Sequence, residues 1–449
     1  MRLPAVWGTQ SGDRASPPGG PAYEHPPRYL ALDSDDDNLE RGGRRVGAIG
    51  GIDWAKDFAD VRVARAGTGE LVFERRFAHD EDGVRALIAA LGAERVQRVA
   101  IERPDGLLVG RLLAAGIVVV AIHPNQVAAA RERFRAAAGK SDRFDAFVLC
   151  ELARTDGHRF GALAPVSDET AALRALCRTR EDLVEARVAL ANQLRAQLEA
   201  FWPGAARIFA AVDSPIALAF LARYPSPEHA RGLGPQRLRG FLDRHAYCGR
   251  RSVEELLARL RGAPVAALGE LEAEARGLAV RGLVAALAPI VEQVSQLQSQ
   301  IAGAVRAHPD GPIFLSFFKD PKSVVCAAGL LGEIGDNRAR YPSPEALAAD
   351  GGQCPVAVES GKRRAAVFRR ACDKRLRAHL GVLADSTRHW HPWAGDVYRR
   401  AVARGQDHPH ACRTLGRAWT RILWRCWQDG VPYDPARHGN LNRLLAEGG

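Results

Sequence analysis

Hydrophobic positions change period along this chain of 449 residues. Between 46 and 160, apolar and polar residues first alternate, so VGAIGGID, DVRVARA and LVFERRFA predict three strands. DEDGVRALIAALG then takes helical spacing, opened by acids that suit a helix N-terminus. VQRVAIE predicts a strand, GLLVGRLLAAG a helix and IVVVAI a short buried strand, and Pro124 opens a helix through Arg135. A long amphipathic helix is expected from Ser167 to the Trp202–Pro203–Gly204 stop. Residues 204–265 mix short helices with Pro/Gly turns. A second long helix covers 268–307, where Leu283, Leu287, Ile290, Val294, Leu297 and Ile301 alternate spacings of four and three. Pro289 interrupts that seam. The seam suits an intramolecular helical hairpin, an oligomeric coiled coil, or both.

Three leading strands followed by alternating helix and strand fit an RNase H-like α/β sheet. The expected organisation is a disordered tail at 1–45, the sheet domain at 46–160, and a helical, coiled-coil connector at 161–310 with 204–265 inserted. A mostly helical C-terminal domain follows at 311–435, broken by the loop DGGQCPVAVESGKRR; the chain after Pro432 is expected to be loosely packed, with 436–449 as a tail. The first 45 residues are rich in Pro, Gly, Arg and Asp and bury little apolar surface.

The net charge of +11 makes a polyanion the obvious partner. Only six of the 63 basic residues are Lys, and an Ala- and Arg-rich composition also follows from a GC-rich genome. The local distribution is more specific. From Ser360 to Trp427 there are sixteen basic and four acidic side chains, an excess that surpasses that of the whole chain. Trp390, Trp393, Trp419, Trp424 and Trp427 are interleaved there, mostly as core, with one or two available to stack on bases. Eight cysteines include no CxxC pair, so no structural zinc site is expected. With no signal peptide and no long apolar run, the expectation is a cytoplasmic, nucleoid-associated protein without a membrane partner.

Four acids carry the candidate chemistry. Asp53 lies on the first predicted strand, Glu102 ends another, and Asp142 and Asp145 share one helix face. Carboxylates brought together repel unless a cation neutralises them. Hard oxygen donors point to Mg2+ (or Mn2+) and phosphoryl transfer. Asp57, Asp60 and Asp105 read as surface groups, while Lys140 and Arg143 either meet phosphate or moderate the acids' repulsion. A second candidate is Ser360, followed by Gly361 and by Lys362, Arg363, Arg364, Arg369, Arg370, Lys374, Arg375 and Arg377. Its hydroxyl is either a nucleophile beside a phosphate-binding cluster or a turn or helix cap. His379 and His389 read as packing or surface groups.

GIDWAKD, AIERPDG, IHPNQV and KSDRFDA resemble the N-terminal domain of the IS110 family of insertion-sequence transposases. PVAVESGK, VFRRACDKRLR and RAWTRILWRCW resemble its C-terminal transposase domain, and the likeness covers 46–435. The resemblance implies a RuvC-like domain whose DEDD set is Asp53, Glu102, Asp142 and Asp145, and a nucleophilic Ser360. It further implies a Ser–DNA intermediate, donor and target DNA, a structured bridge RNA, and a homo-oligomer, dimer or tetramer, in which acids and serine come from different protomers. The chain departs from the family where SFFKDPKSVVCAAG replaces a Pro-Gly-x-Gly turn, and where Glu359 adjoins Ser360. Two other readings remain: a RuvC-like branched-DNA endonuclease using water, and an inactivated nucleic-acid-binding relative.

Overall fold

The structure is a computed structural model that describes residues 47–447 except 103, 135–140, 164, 321–322 and 361–362. The tail at 1–45, Lys140 and Lys362 lie outside the described residues. The chain divides after Leu163 into two compact units.

The first unit is a five-stranded sheet with helices on both faces. Its strands are β1 (Ala48–Trp54), β2 (Phe58–Arg65), β3 (Leu71–Ala78), β4 (Val96–Ile101) and β5 (Val118–Ala121), in the order β3-β2-β1-β4-β5. β1, β2 and β3 pair antiparallel, whereas β1, β4 and β5 run parallel. This mixed sheet is consistent with the expected RNase H-like core. The helices are α1 (Glu81–Ala93), α2 (Leu107–Ala114), α3 (Pro124–Phe134) and α4 (Asp142–Thr155). Alternation along the strands sends Ile52, Val61 and Val63 into one core with Leu87 and Leu112. Ile49, Ala100 and Val120 enter the opposite core with Val127, Val148 and Leu149 of α3 and α4.

One glycine sets how closely α4 approaches the sheet. A Cβ on Gly51 would lie 2.2 Å from the Cys150 nitrogen and 2.3 Å from the Ala146 carbonyl oxygen. Both obstacles are backbone, so no side-chain rotation relieves them. Strand alternation puts Ile49, Gly51 and Asp53 on one face, and Gly51 brings α4 against it.

The second unit is built on two long helices, α5 (Asp168–Phe201) and α10 (Glu270–Ala307). They run antiparallel: the start of α5 shares a core with the end of α10, and its end packs with Val280, Val284 and Leu287. Val280, Leu287, Val294 and Ile301, seven residues apart, are all buried, and Leu283, Ile290 and Leu297 are half-buried. An intramolecular helical hairpin therefore uses this seam. α10 also corrects an expectation, since an 18-residue window in it has a mean hydropathy of 1.4 and is long and apolar enough to cross a membrane. The apolar seam that packs on α5 contributes to that value.

Four short helices close one end of the long pair: α6 (Pro203–Arg207), α7 (Pro215–Arg223), α8 (Pro235–Arg244) and α9 (Val253–Arg261), around Phe201, Phe220 and Phe241. The other end carries α11 (Gly311–Leu315), α12 (Val324–Ile334), α13 (Pro344–Asp350), α14 (Lys374–Thr387), α15 (Pro392–Ala403), α16 (His408–Asp429) and α17 (Gly439–Glu447). Trp419 and Trp427 anchor that core. Two expectations are corrected here. The loop around Ser360 is a hairpin, β6 (Val356–Ser360) with β7 (Arg363–Val367). Residues 433–441, after Pro432, are packed, because Tyr433 stacks on Phe317 and Leu441 of α17 enters the core.

Gly51→Ala is expected to lower stability by roughly 1–3 kcal/mol, because the added methyl meets backbone on α4. Gly110→Ala in α2, with open space around its Cβ position, should be neutral or stabilising by up to about 1 kcal/mol. Thermal unfolding of the two variants separates close approach from generic helix propensity.

Candidate active site

The site in the first unit forms where the parallel strands end. β1 and β4 pair with Ile52 opposite Ile101, so Asp53 and Glu102, one residue on, leave neighbouring strand ends side by side. Ser141 caps α4 by accepting from the Phe144 amide, which places Asp142 and Asp145 in the first turn. The helix N-terminus favours negative charge at both. The crowding is met by guanidinium groups. Arg131 of α3 donates Nε and Nη2 to the two oxygens of Asp145, at 2.5 and 2.7 Å, and Nη2 to Glu102 at 3.3 Å. Asp145 is only 2 % exposed, and this guanidinium is its counter-charge inside the unit.

Asp60 belongs to the same neighbourhood, against its expected place on the surface. It is 3 % exposed and lies opposite Asp53 in the β1–β2 register. Like charges facing each other across strands are unfavourable without a counter-charge. Arg76 supplies one, reaching both Asp60 oxygens at 2.7 and 3.1 Å. Its guanidinium pKa is held above the ordinary arginine value, chiefly by this hydrogen bond and further by the charges of Asp60 and Asp142. Asp57 and Asp105 are exposed, as expected. Arg143 pairs with Glu74 at 2.8 Å. Sequence patterning missed Arg131, Arg76 and Asp60; the strand alternation that faces Asp60 toward Asp53 was the available signal.

Ser360 occupies the end of β6, with Arg363 as its register partner. Ser360 is exposed. Glu359 alternates to the opposite face of the strand and lies opposite Arg364, with 3.9 Å between Oε1 and Nε. The hairpin also leaves Val358 and Val367 each 44 % exposed. Phe368, just after β7, lies beneath Arg377 and Arg413, whose guanidinium carbons are 5.3 and 4.9 Å from its ring.

Comparison with known proteins decides the family. Residues 50–203 match the DEDD transposase family model of IS110 type, and 323–399 match the transposase model of the IS116/IS110/IS902 family. The IS117 mini-circle protein of Streptomyces coelicolor is 31 % identical over 398 residues, covering 86 % of this chain and 95 % of that protein. The chain belongs to the IS110/IS116/IS902 family of insertion-sequence transposases. The 42 kDa protein of insertion element IS900 from Mycobacterium paratuberculosis is 27 % identical, covering 81 % of this transposase and 92 % of the relative. The IS116 44.8 kDa protein of Streptomyces clavuligerus is 27 % identical, covering 83 % and 93 %.

Family membership makes DNA the substrate of this transposase, and its basic residues divide by what they touch. Arg364, Arg370 and Lys374 are exposed around the hairpin. Arg369 donates Nε to the Cys354 carbonyl. Arg375 is already matched, by Glu181 at 2.6 Å and Asp182 at 2.7 Å. The pair of acids holds its guanidinium charged, against the opposing effect of burial. His379 packs beside it, with Nε2 at 2.7 Å from Glu181, while His389 is exposed. Trp393, Trp419 and Trp427 are buried, Trp424 donates to the Tyr341 carbonyl, and Trp390 is 40 % exposed. Among the described residues, one group of His, Cys, Asp or Glu side chains places its ligand atoms closely enough to hold a metal ion, and sequence patterning missed it: those of Asp385, His408 and Cys412 lie within 4.8 Å of one another. The His-x3-Cys spacing was its signal.

Arg131→Met removes the counter-charge of a buried carboxylate. In metal-free protein it is expected to lower stability by up to about 3 kcal/mol, the low end for a buried pair, because Arg131 is partly solvated. Arg143→Met, which removes a surface partner of Glu74, should cost under about 1 kcal/mol. Chemical denaturation in chelator measures both.

Proposed function

We propose that this transposase is a recombinase that cuts and rejoins DNA through a serine–DNA phosphodiester at Ser360, assisted by Mg2+ (or Mn2+) at Asp53, Glu102, Asp142 and Asp145 of a RuvC-like domain. The observation that supports the reading most is Arg131 bridging Glu102 and Asp145, with Asp53 leaving the strand paired to that of Glu102 and Asp142 in the first turn of α4. The residues fit the ion. The donor set is oxygen only, it includes a buried carboxylate, and the chain itself supplies guanidinium groups where a cation is demanded. When bound, the ion stabilises charge developing on phosphate oxygens.

Ser360 Oγ attacks the phosphorus of the DNA backbone. One Oγ–P bond forms and one P–O bond to the DNA breaks; the hydroxyl proton is lost and the displaced DNA oxygen gains one. The number of phosphoester bonds is unchanged, so attack by a DNA hydroxyl reverses the step and rejoins a strand. Exposure of Ser360 and the turn of Glu359 to the other strand face support its role as nucleophile. Arg364, Arg370 and Lys374 supply positive charge beside it, and Lys362, Arg363, Arg369, Arg375, Arg377, Lys140 and Arg143 complete the proposed nucleic-acid-binding set. The bridge RNA that pairs with donor and target DNA rests on the family resemblance, as do the dimer or tetramer and the nucleoid location. Pairing by RNA leaves the protein to contact shape and backbone.

Ser360→Ala is expected to abolish both strand cleavage and any protein–DNA species that survives denaturation. Cleavage that persists in this variant identifies water as the nucleophile and a RuvC-like endonuclease instead. Asp53→Asn and Glu102→Gln should each slow cleavage by at least about 10²-fold while leaving DNA binding intact in a mobility-shift assay. Sequencing of RNA that purifies with the protein should return a structured transcript from the flanking DNA; recombination that is unaffected by ribonuclease contradicts RNA guidance.

A further inference from the structure

We propose that Asp385, His408 and Cys412 form a transition-metal site in the second unit, with Zn2+ as the ion its donors suit. The three residues come from two helices. His408 opens α16 and Cys412 lies one turn on, so both sit on one helix face; Asp385 belongs to α14. Trp419 of α16 donates Nε1 to Thr387 Oγ1 of α14 at 2.8 Å in the buried contact between these helices, which fixes their relation.

The spacing of the donor atoms is close to that of a ligand shell. His408 Nε2 is 3.7 Å from Asp385 Oδ1, Cys412 Sγ is 3.9 Å from the same oxygen, and Sγ is 3.8 Å from Nε2. Tetrahedral Zn2+, with bonds of about 2.3 Å to sulfur and about 2.0–2.1 Å to nitrogen and oxygen, separates its donors by roughly 3.3–3.6 Å. A few tenths of an ångström of side-chain adjustment closes the difference. Tyr398 Oη lies 2.9 Å from Nδ1, and Cys412 Sγ lies 3.6 Å from Nδ1 and 3.8 Å from Nε2, so a turn of the ring brings Nε2 to face the sulfur. An outer hydrogen bond of this kind fixes ring direction at metal-bound histidines.

The donor chemistry separates this site from the acids of the first unit. One sulfur, one imidazole and one carboxylate select a borderline ion such as Zn2+ over Mg2+. Arg388 donates Nε to Asp385 Oδ1 at 2.7 Å and is the group that an arriving ion displaces or shares. His408 is exposed, so ions enter from solvent, and three protein donors leave a fourth position for water or another ligand.

The test uses the full-length protein, stripped of metal and titrated with Co2+ as a coloured substitute for Zn2+. The expected result is a thiolate-to-cobalt charge-transfer band that saturates at one equivalent and is bleached by Zn2+. Cys412→Ser should abolish the band, and Tyr398→Phe should weaken binding roughly tenfold. Cys248→Ser, at an exposed cysteine, and Asp53→Asn, in the first unit, should leave it unchanged, so failure of the DNA-cleavage reading does not touch this result. His408→Gln, at an exposed position, serves as the second ligand variant if Cys412→Ser does not fold. No band in folded wild-type protein, or a band that survives both ligand variants, overturns the proposal.

Discussion

Carboxylate repulsion at the ends of two inner strands is the constraint around which the first unit is built. Asp53, Glu102, Asp142 and Asp145 are carried by the end of β1, the end of β4 and the start of α4, and Asp60 adds a fifth negative group opposite Asp53. A sheet and helix bearing these acids would separate unless positive charge held them. Arg131 and Arg76 provide it from α3 and β3, the first by a fork on Asp145, the second by a fork on Asp60. Gly51 allows α4 to lie against β1 at all, since any side chain there meets α4 backbone. Packing thus forces the charges together, and the guanidinium groups make the packed state tolerable. Such an arrangement is unremarkable as stability engineering, because a buried pair seldom outperforms apolar packing. It suits the proposed metal site, where one cation would exchange for another.

The second unit works by a different logic. Its long helices are held by an apolar seam of period seven and capped at each end by aromatic clusters, with ion pairs such as Arg178–Glu333 added between α5 and α12. From that scaffold the β6–β7 hairpin carries Ser360 at the end of β6, with Val358 and Val367 left in solvent. The hairpin's polar and basic groups are arranged by alternation: Ser360 and Arg363 share one register position, and Glu359 and Arg364 the next, on the opposite face. The proposed nucleophile and the acid beside it in sequence are therefore separated by strand geometry alone.

The five strands were legible because a half-buried strand writes its period into the chain. The same alternation made Asp53 and Glu102 recognisable, each following an apolar run on a strand that the α4 helix covers. Asp60 was not recognised, because Phe58–Arg65 also reads as a strand with polar residues outward; only pairing with Asp53 shows that this face is covered. Arg131 resisted for a related reason. Its partners lie 29 and 14 residues away, and nothing local in PNQVAAARERF marks one arginine among its polar neighbours. The hairpin at Ser360 was hidden by flanking Gly and Pro and by strands of only five residues. The trio at Asp385 was hidden because its ligands lie on two helices, although His408 and Cys412 have helix-face spacing.

If the acids form one cation site held closed by Arg131, metal binding and guanidinium binding must compete. Electron paramagnetic resonance of Mn2+ added to metal-free protein measures this directly. The account predicts binding that is lost in Asp145→Asn, retained in Asp57→Asn, and tighter in Arg131→Met than in the wild type. Binding that is equal in all four proteins, or absent from the wild type, would contradict it.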